Sequence, residues 1–143
     1  MDLKRVSIGT VVGIVAIFLL GRIIWGFLFE DFFAANAGSA VGVDREERIW
    51  WSVIVGYAFY GLAINLGLEL GQGASNVTRG LLVGAVTGAL IWGTADFVLY
   101  GSNNVSNLTA TIADTILESV RGAITGAIVV LVLSFVGGKR STA

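Results

Sequence analysis

The chain has 143 residues, enough for one domain, but 55% of them are apolar and 13% are charged, against about 25% charged in an ordinary soluble domain. The net charge of −1 without a basic run excludes a typical nucleic-acid-binding protein, and the absence of Cys and His removes disulfides, the commonest general base and the commonest metal ligand. We therefore expect an integral membrane protein that is not an enzyme, with no catalytic residues, no metal site and no cofactor, and with the lipid bilayer as its partner.

Four stretches are long and apolar enough to cross a bilayer, because about 20 residues at a rise of 1.5 Å span a hydrocarbon core of roughly 30 Å. They cover residues 6–29, 49–70, 81–100 and 113–136. The chain contains no proline, so straight helices are expected. The sequence predicts an all-α polytopic membrane protein in which a single transmembrane domain, residues 1–143, forms a four-helix bundle.

The distribution of basic residues predicts the orientation of these spans. Lys4 and Arg5 precede the first span, Arg79 lies between the second and third, and Lys139 and Arg140 follow the fourth. The loop between the first two spans is net acidic, and the loop between the last two is uncharged. We therefore expect a multi-pass protein of the cell (plasma) membrane with both termini in the cytoplasm.

The two halves of the chain resemble each other when one is shifted by 67 residues. The Ile-Trp-Gly triplet at 24–26 then matches the triplet at 91–93, and Gly21 matches Gly88 without a gap. Such an internal repeat predicts two duplicated helical hairpins with parallel pseudo-twofold symmetry about the membrane normal.

Glycines four residues apart form stripes on three of the spans, as in a glycine zipper. In lipid, helices associate through small residues that let their backbones approach. The predicted helix-packing residues are Gly9, Gly13, Gly80, Gly84, Gly88, Gly122 and Gly126. The stripes serve packing within the chain or between chains, so a homo-oligomer or a larger membrane complex stays an open alternative.

Four charges from three spans fall at one depth, roughly 6–12 Å below the outer boundary at 1.5 Å per residue. Charges inside a membrane cost a few kcal/mol each and usually face the protein interior. Aromatic residues of the first and third spans lie near the same level. The set predicts a charged and aromatic pocket open to the outer face, formed by Arg22, Asp96, Glu118, Arg121, Trp25, Trp92 and Tyr100.

Two functions fit this pattern. In the first, the pocket binds or moves a small polar or amphipathic ligand, with Arg22 or Arg121 as an anion anchor and Asp96 or Glu118 as a protonatable group. In the second, the charges form a structural ion-pair network, and the chain is an accessory membrane subunit without a ligand. The first predicts accessible volume around the charges, whereas the second predicts a dry core and a glycine stripe exposed to lipid.

Another acidic residue lies at the cytoplasmic end of the second span. Glu69 follows Asn65 by one helical turn on the same face. We expect Glu69 to extend its carboxylate towards the membrane interface.

The chain combines four short spans with two short motifs. An Ile-Trp-Gly motif ends the first span, and a Thr-Ala-Asp-Phe motif lies at 94–97 in the third. This arrangement of spans and motifs resembles that of small prokaryotic membrane proteins that are grouped as domains of unknown function. The resemblance covers the whole chain and implies a four-helix membrane fold of unassigned activity.

Overall fold

The computed structural model describes residues 3–43, 45–70 and 76–136, which fold into helices joined by short connections. The elements are α1 (Leu3–Ile23), a π-helical turn (Ile24–Leu28), α2 (Glu30–Ala35), α3 (Trp50–Leu70), α4 (Val77–Ser102) and α5 (Leu108–Val136). If α1 and the π-helical turn are taken as one helix, four helices are long and apolar enough to cross a membrane. The predicted all-α fold with four membrane helices is confirmed.

Three of the helices begin before the predicted spans do, α1 by three residues. α4 and α5 start four and five residues earlier than the sequence analysis predicts. The side-chain oxygen of Asn76 accepts a hydrogen bond from the Arg79 backbone N–H at 2.8 Å, and that of Asn107 accepts one from the Ala110 N–H at 2.9 Å. These asparagines satisfy the first backbone donors, so the helices include a polar first turn that hydropathy misses.

The first helix does not stay regular to its end, although the chain has no proline. The Phe29 backbone N–H donates to the Ile24 carbonyl at 2.9 Å, which closes a π-helical turn. Such turns occur mostly as single interruptions of α-helices and rotate the residues that follow. Trp25 and Gly26, which line the cavity described below, belong to this turn.

The helices form a ring in which α1 neighbours α3 and α5, and α4 neighbours α5 and α3. The α4–α5 contact is the most extensive. A Cβ added to any of three α4 glycines would collide with a backbone carbonyl of α5. The facing pairs are Gly80 with Gly126, Gly84 with Gly122, and Gly88 with Glu118. The backbones of these antiparallel helices are therefore in direct contact.

The contact between α1 and α3 also depends on small residues. A Cβ on Gly13 would lie 3.0 Å from the Cα of Gly61, and one on Gly9 would meet the side chain of Asn65. Asn65 is fully buried and donates a hydrogen bond to the Val6 carbonyl at 2.6 Å. Small residues and an interhelical hydrogen bond thus join these helices, as expected in lipid.

Glu69 does not extend to the interface as expected. Its side chain is 4% exposed and lies 3.5 Å from the Nε of Arg5 on α1. Arg5 also donates to the Leu133 carbonyl of α5 at 3.4 Å. The expectation was wrong because Arg5 on the neighbouring helix α1 lies within reach of Glu69 and pairs with it.

The connections at the other end of the bundle pair with each other. Residues 36–40 run antiparallel to residues 104–107, with the Gly38 N–H donating to the Val105 carbonyl at 2.9 Å. Beside this pair, the Asn107 backbone N–H donates to the Asn36 carbonyl at 3.2 Å. The side-chain Nδ2 of Asn107 also donates to the Oδ1 of Asn36 at 3.0 Å. We call this end of the bundle the loop end.

The apolar core lies between α1, α3 and α5. Its fully buried members are Ile17, Ile64, Leu68, Val129 and Leu133. Val83 and Trp92 of α4 pack against the edge of this cluster. The core fills the middle of the bundle and leaves a cavity at the loop end.

Replacing Gly84 with Leu is expected to lower the unfolding free energy of the detergent-purified protein by about 3 kcal/mol or more, because no space exists for a side chain between α4 and α5. Gly56→Leu is the matched control, since a Cβ at that position meets nothing within 4 Å. Equal stability of the two variants would show that the α4–α5 backbone contact does not hold the bundle.

Candidate functional site

A cavity of about 750 Å³ lies at the loop end, lined by residues of all four long helices and of the connections. Its charged lining residues are Arg22, Glu30, Arg48, Asp114, Glu118 and Arg121. The remaining walls are Trp25, Tyr57, Trp92, Gly21 and Gly26. The volume is that of a small-molecule site, and the three cations are balanced by three anions.

A buried ion pair on α5 forms the floor of this cavity. The Nη1 of Arg121 lies 2.5 Å from the Oε1 of Glu118, one helical turn earlier. The two residues are 3% and 2% exposed, respectively. Burial strips both groups of water, so each depends on the groups around it for compensation.

Aromatic rings from two other helices surround the Arg121 guanidinium. Its Cζ lies 5.2 Å from the ring centroids of Trp25 and Tyr57 and 5.8 Å from that of Tyr60. These distances are within the range of cation–π attraction. Tyr60 also donates a hydrogen bond to the backbone carbonyl of Glu118 at 3.1 Å. The π-helical turn and α3 thus both hold the ion pair of α5.

The side of the guanidinium that faces α1 is open because Gly21 has no side chain. A Cβ on Gly21 would lie 3.4 Å from the Cζ of Arg121 and 3.5 Å from its Nη2. A larger residue would therefore push against the guanidinium. Gly21 leaves room for Arg121 at the cavity wall.

Four buried polar atoms of the cavity walls have no hydrogen-bond partner among the described residues. They are Nε and Nη2 of Arg121, Oε2 of Glu118 and Nε1 of Trp92. An unsatisfied buried polar group costs about 1–3 kcal/mol. The ion pair at the cavity wall is therefore incompletely satisfied by the described residues.

A second acidic group lies one turn above the ion pair. The Oδ1 of Asp114 accepts a hydrogen bond from the Trp25 indole at 2.5 Å. The next residue, Thr115, places its hydroxyl 3.1 Å from the Oδ2 of Asp96 on α4. Asp114 lines the cavity, whereas Asp96 lies beside it on the α4–α5 interface.

The rim of the cavity carries exposed charges. Arg22, Glu30 and Arg48 are exposed and line the cavity. The two ion pairs found in the described part of the chain are Arg5–Glu69 and Arg121–Glu118, so neither rim arginine is paired there. Both guanidinium groups remain available to a molecule in the cavity.

The structure brings most of the predicted site residues together. Arg22, Trp25, Trp92, Glu118 and Arg121 line the cavity. Asp96 and Tyr100 do not: Asp96 is bonded to Thr115 beside the cavity, and Tyr100 is 41% exposed and lies outside the lining.

Two tyrosines of α3 and three charged lining residues were not predicted to belong to the site. These are Tyr57, Tyr60, Glu30, Arg48 and Asp114. One signal was present, because Tyr57 and Tyr60 are three residues apart and share a helix face within an apolar span. The roles of Glu30 and Arg48 depend on the path of a loop, which composition does not indicate.

Across the described ranges, no group of three acidic side chains comes together that could hold a metal ion. Comparisons with family models, with curated proteins and with solved structures give no match.

Proposed function

We propose that this protein binds a small polar or amphipathic ligand in the cavity around Arg121. The observation that carries this proposal is the position of Arg121, which lines the cavity and whose Nε and Nη2 have no hydrogen-bond partner among the described residues. A ligand with acceptor atoms would satisfy them and offset the cost of their burial. The rim arginines would draw such a ligand in from the aqueous boundary.

The alternative is an accessory subunit whose charges serve the structure alone. That role predicts a dry core, a satisfied network and a glycine stripe exposed to lipid. Gly80, Gly84 and Gly88 are instead buried against α5, and a cavity of about 750 Å³ adjoins the charges. Both observations favour the ligand-binding role.

A binding role also fits the residues better than catalysis does. The chain has no His or Cys, and the two α5 acids of the cavity wall already have partners. Asp114 is bonded to Trp25, and Glu118 is bonded to Arg121. Neither is placed as an uncommitted general base.

We propose that the loop end faces the outside of the cell membrane and that both termini are cytoplasmic. Arg5 and Arg79 lie at the ends of α1 and α4 away from the loop end, as the positive-inside rule requires. The segment before α3 is net acidic. In this orientation the cavity opens to the exterior.

We also propose that the two hairpins arose by duplication. The ring order of the helices is kept when α1 is exchanged with α4 and α3 with α5. The paired loops support the same axis, because the bonded residues Gly38 and Val105 are 67 positions apart, the shift that aligns the two halves. A pseudo-twofold axis would pass between these two residues.

The ligand proposal is tested by thermal unfolding of the detergent-purified protein with a panel of carboxylates, phosphates, amines, zwitterions and short-chain amphiphiles. At least one class should raise the Tm by several degrees, because a ligand that binds the folded state stabilises it by RT ln(1 + [L]/Kd). The double variant Arg22→Gln/Arg48→Gln should keep the Tm of the unliganded protein and show a smaller ligand-induced shift.

Arg79→Gln is the matched control, because it also removes a positive charge but lies at the opposite end of α4. It should show the full shift. The proposal fails if no compound stabilises the wild type, or if the rim double variant responds as strongly as the control.

The orientation is tested by cysteine labelling, which is clean because the chain has no native cysteine. In intact cells, a membrane-impermeant maleimide should label Ser102→Cys at the loop end. Thr78→Cys at the other end of α4 should react only after the cells are permeabilised. Labelling with the opposite sidedness would reverse the proposed orientation.

A further inference from the structure

The unpartnered polar atoms of the cavity are mostly donors. Four buried atoms on the lining residues have no partner in the described structure: three are nitrogens, on Arg121 and Trp92, and one is the Oε2 of Glu118. The rim adds the guanidinium groups of Arg22 and Arg48. Guanidinium groups bind carboxylate and phosphate oxygens through paired N–H donors. Because the charges of the lining balance as a whole, the two unpaired rim guanidinium groups are what select an anion with several acceptor oxygens.

An apolar groove adjoins this polar cavity. It has a volume of about 540 Å³ and lies between α3 and α4, with Gly56, Phe59, Ala63 and Ile91 among its lining residues. Tyr57 and Trp92 line both the groove and the cavity. A single molecule could therefore occupy the polar cavity with one end and the apolar groove with the other.

The groove opens sideways, towards the position of the lipid chains. α3 packs closely on α4 lower in the bundle, where a Cβ on Gly67 would lie 2.8 Å from the Cγ1 of Val83. Nearer the loop end, the groove separates the two helices, and Phe59 is 69% exposed. An exposed aromatic residue in a membrane span faces hydrocarbon, so an acyl chain can enter between α3 and α4 without leaving the bilayer.

We infer that the site takes a membrane lipid with an anionic headgroup, which places its phosphate at the arginines of the cavity and an acyl chain in the groove between α3 and α4. This inference rests on the proposed function and specifies its ligand. The cavity supplies the donors, the groove supplies the apolar surface, and Tyr57 and Trp92 lie at their junction.

The test is native mass spectrometry of the full chain in detergent, titrated with three probes. Dioleoyl phosphatidylglycerol has the anionic headgroup and the chains, dioleoyl phosphatidylcholine has the same chains with a zwitterionic headgroup, and glycerol 1-phosphate has the phosphate without chains. Phosphatidylglycerol should bind at least about tenfold more tightly than either of the others, a difference of about 1.4 kcal/mol.

Two variants separate the headgroup from the chain. Arg22→Gln/Arg48→Gln should weaken phosphatidylglycerol binding about tenfold, whereas Arg79→Gln should not. Gly56→Trp should also weaken it about tenfold, because a Cβ there meets nothing within 4 Å and the new side chain fills the groove. Gly101→Trp is its control, since that position is equally open but lies outside the groove.

Equal binding of phosphatidylglycerol to the wild type and to all four variants would indicate lipid bound only at the surface, and it would overturn the inference. Equal affinity for both phospholipids would overturn the headgroup assignment. If glycerol 1-phosphate binds as tightly as the lipid and Gly56→Trp has no effect, the ligand is a soluble anion. In that case the inference fails, but the proposed function stands.

Discussion

A guanidinium group buried among apolar helices is the constraint that the rest of this structure has to meet. Arg121 cannot be held there unless neighbouring groups replace the water it has lost. Glu118 supplies the counter-charge, and three aromatic rings supply negative faces within 6 Å. These groups come from α3, α5 and the π-helical turn, so the surroundings of one side chain require three parts of the fold to meet.

The packing of the helices places these groups at the same depth in the bundle as Arg121. Because lipid removes the hydrophobic effect between helices, their relative positions depend on backbone contact and on interhelical hydrogen bonds. The contact of Gly88 with the Glu118 carbonyl fixes α5 against α4, and the Tyr60 hydroxyl bonds to the same carbonyl from α3. At the far end, the Arg5–Glu69 pair keeps α1 in register with α3. The cavity is thus positioned by contacts along the whole bundle.

Hydropathy was sufficient to predict four membrane helices. The cost of intramembrane charge predicted that Arg22, Glu118 and Arg121 lie together, and all three line one cavity. The rotation of each helix about its axis could not be predicted, because α3 is apolar on most of its circumference and shows no clear face. This is why Tyr57 and Tyr60 of α3 were not assigned to the site, whereas Tyr100 of α4 was assigned from its depth alone. The π-helical turn could not be predicted, because no proline marks its position in the sequence. The pairing of Glu69 with Arg5 could not be predicted either, because it depends on which helices are neighbours.

The central claim is that the Arg121–Glu118 pair is not needed to hold the helices together, which leaves the cost of its burial for a ligand to offset. The most direct test is the unfolding free energy of the detergent-purified double variant Glu118→Leu/Arg121→Met beside each single variant. Each single change should cost about 3–5 kcal/mol by leaving one buried charge unpaired, whereas the double variant should match or exceed the wild type. A double variant as unstable as the singles would contradict the claim and make the pair a structural tie.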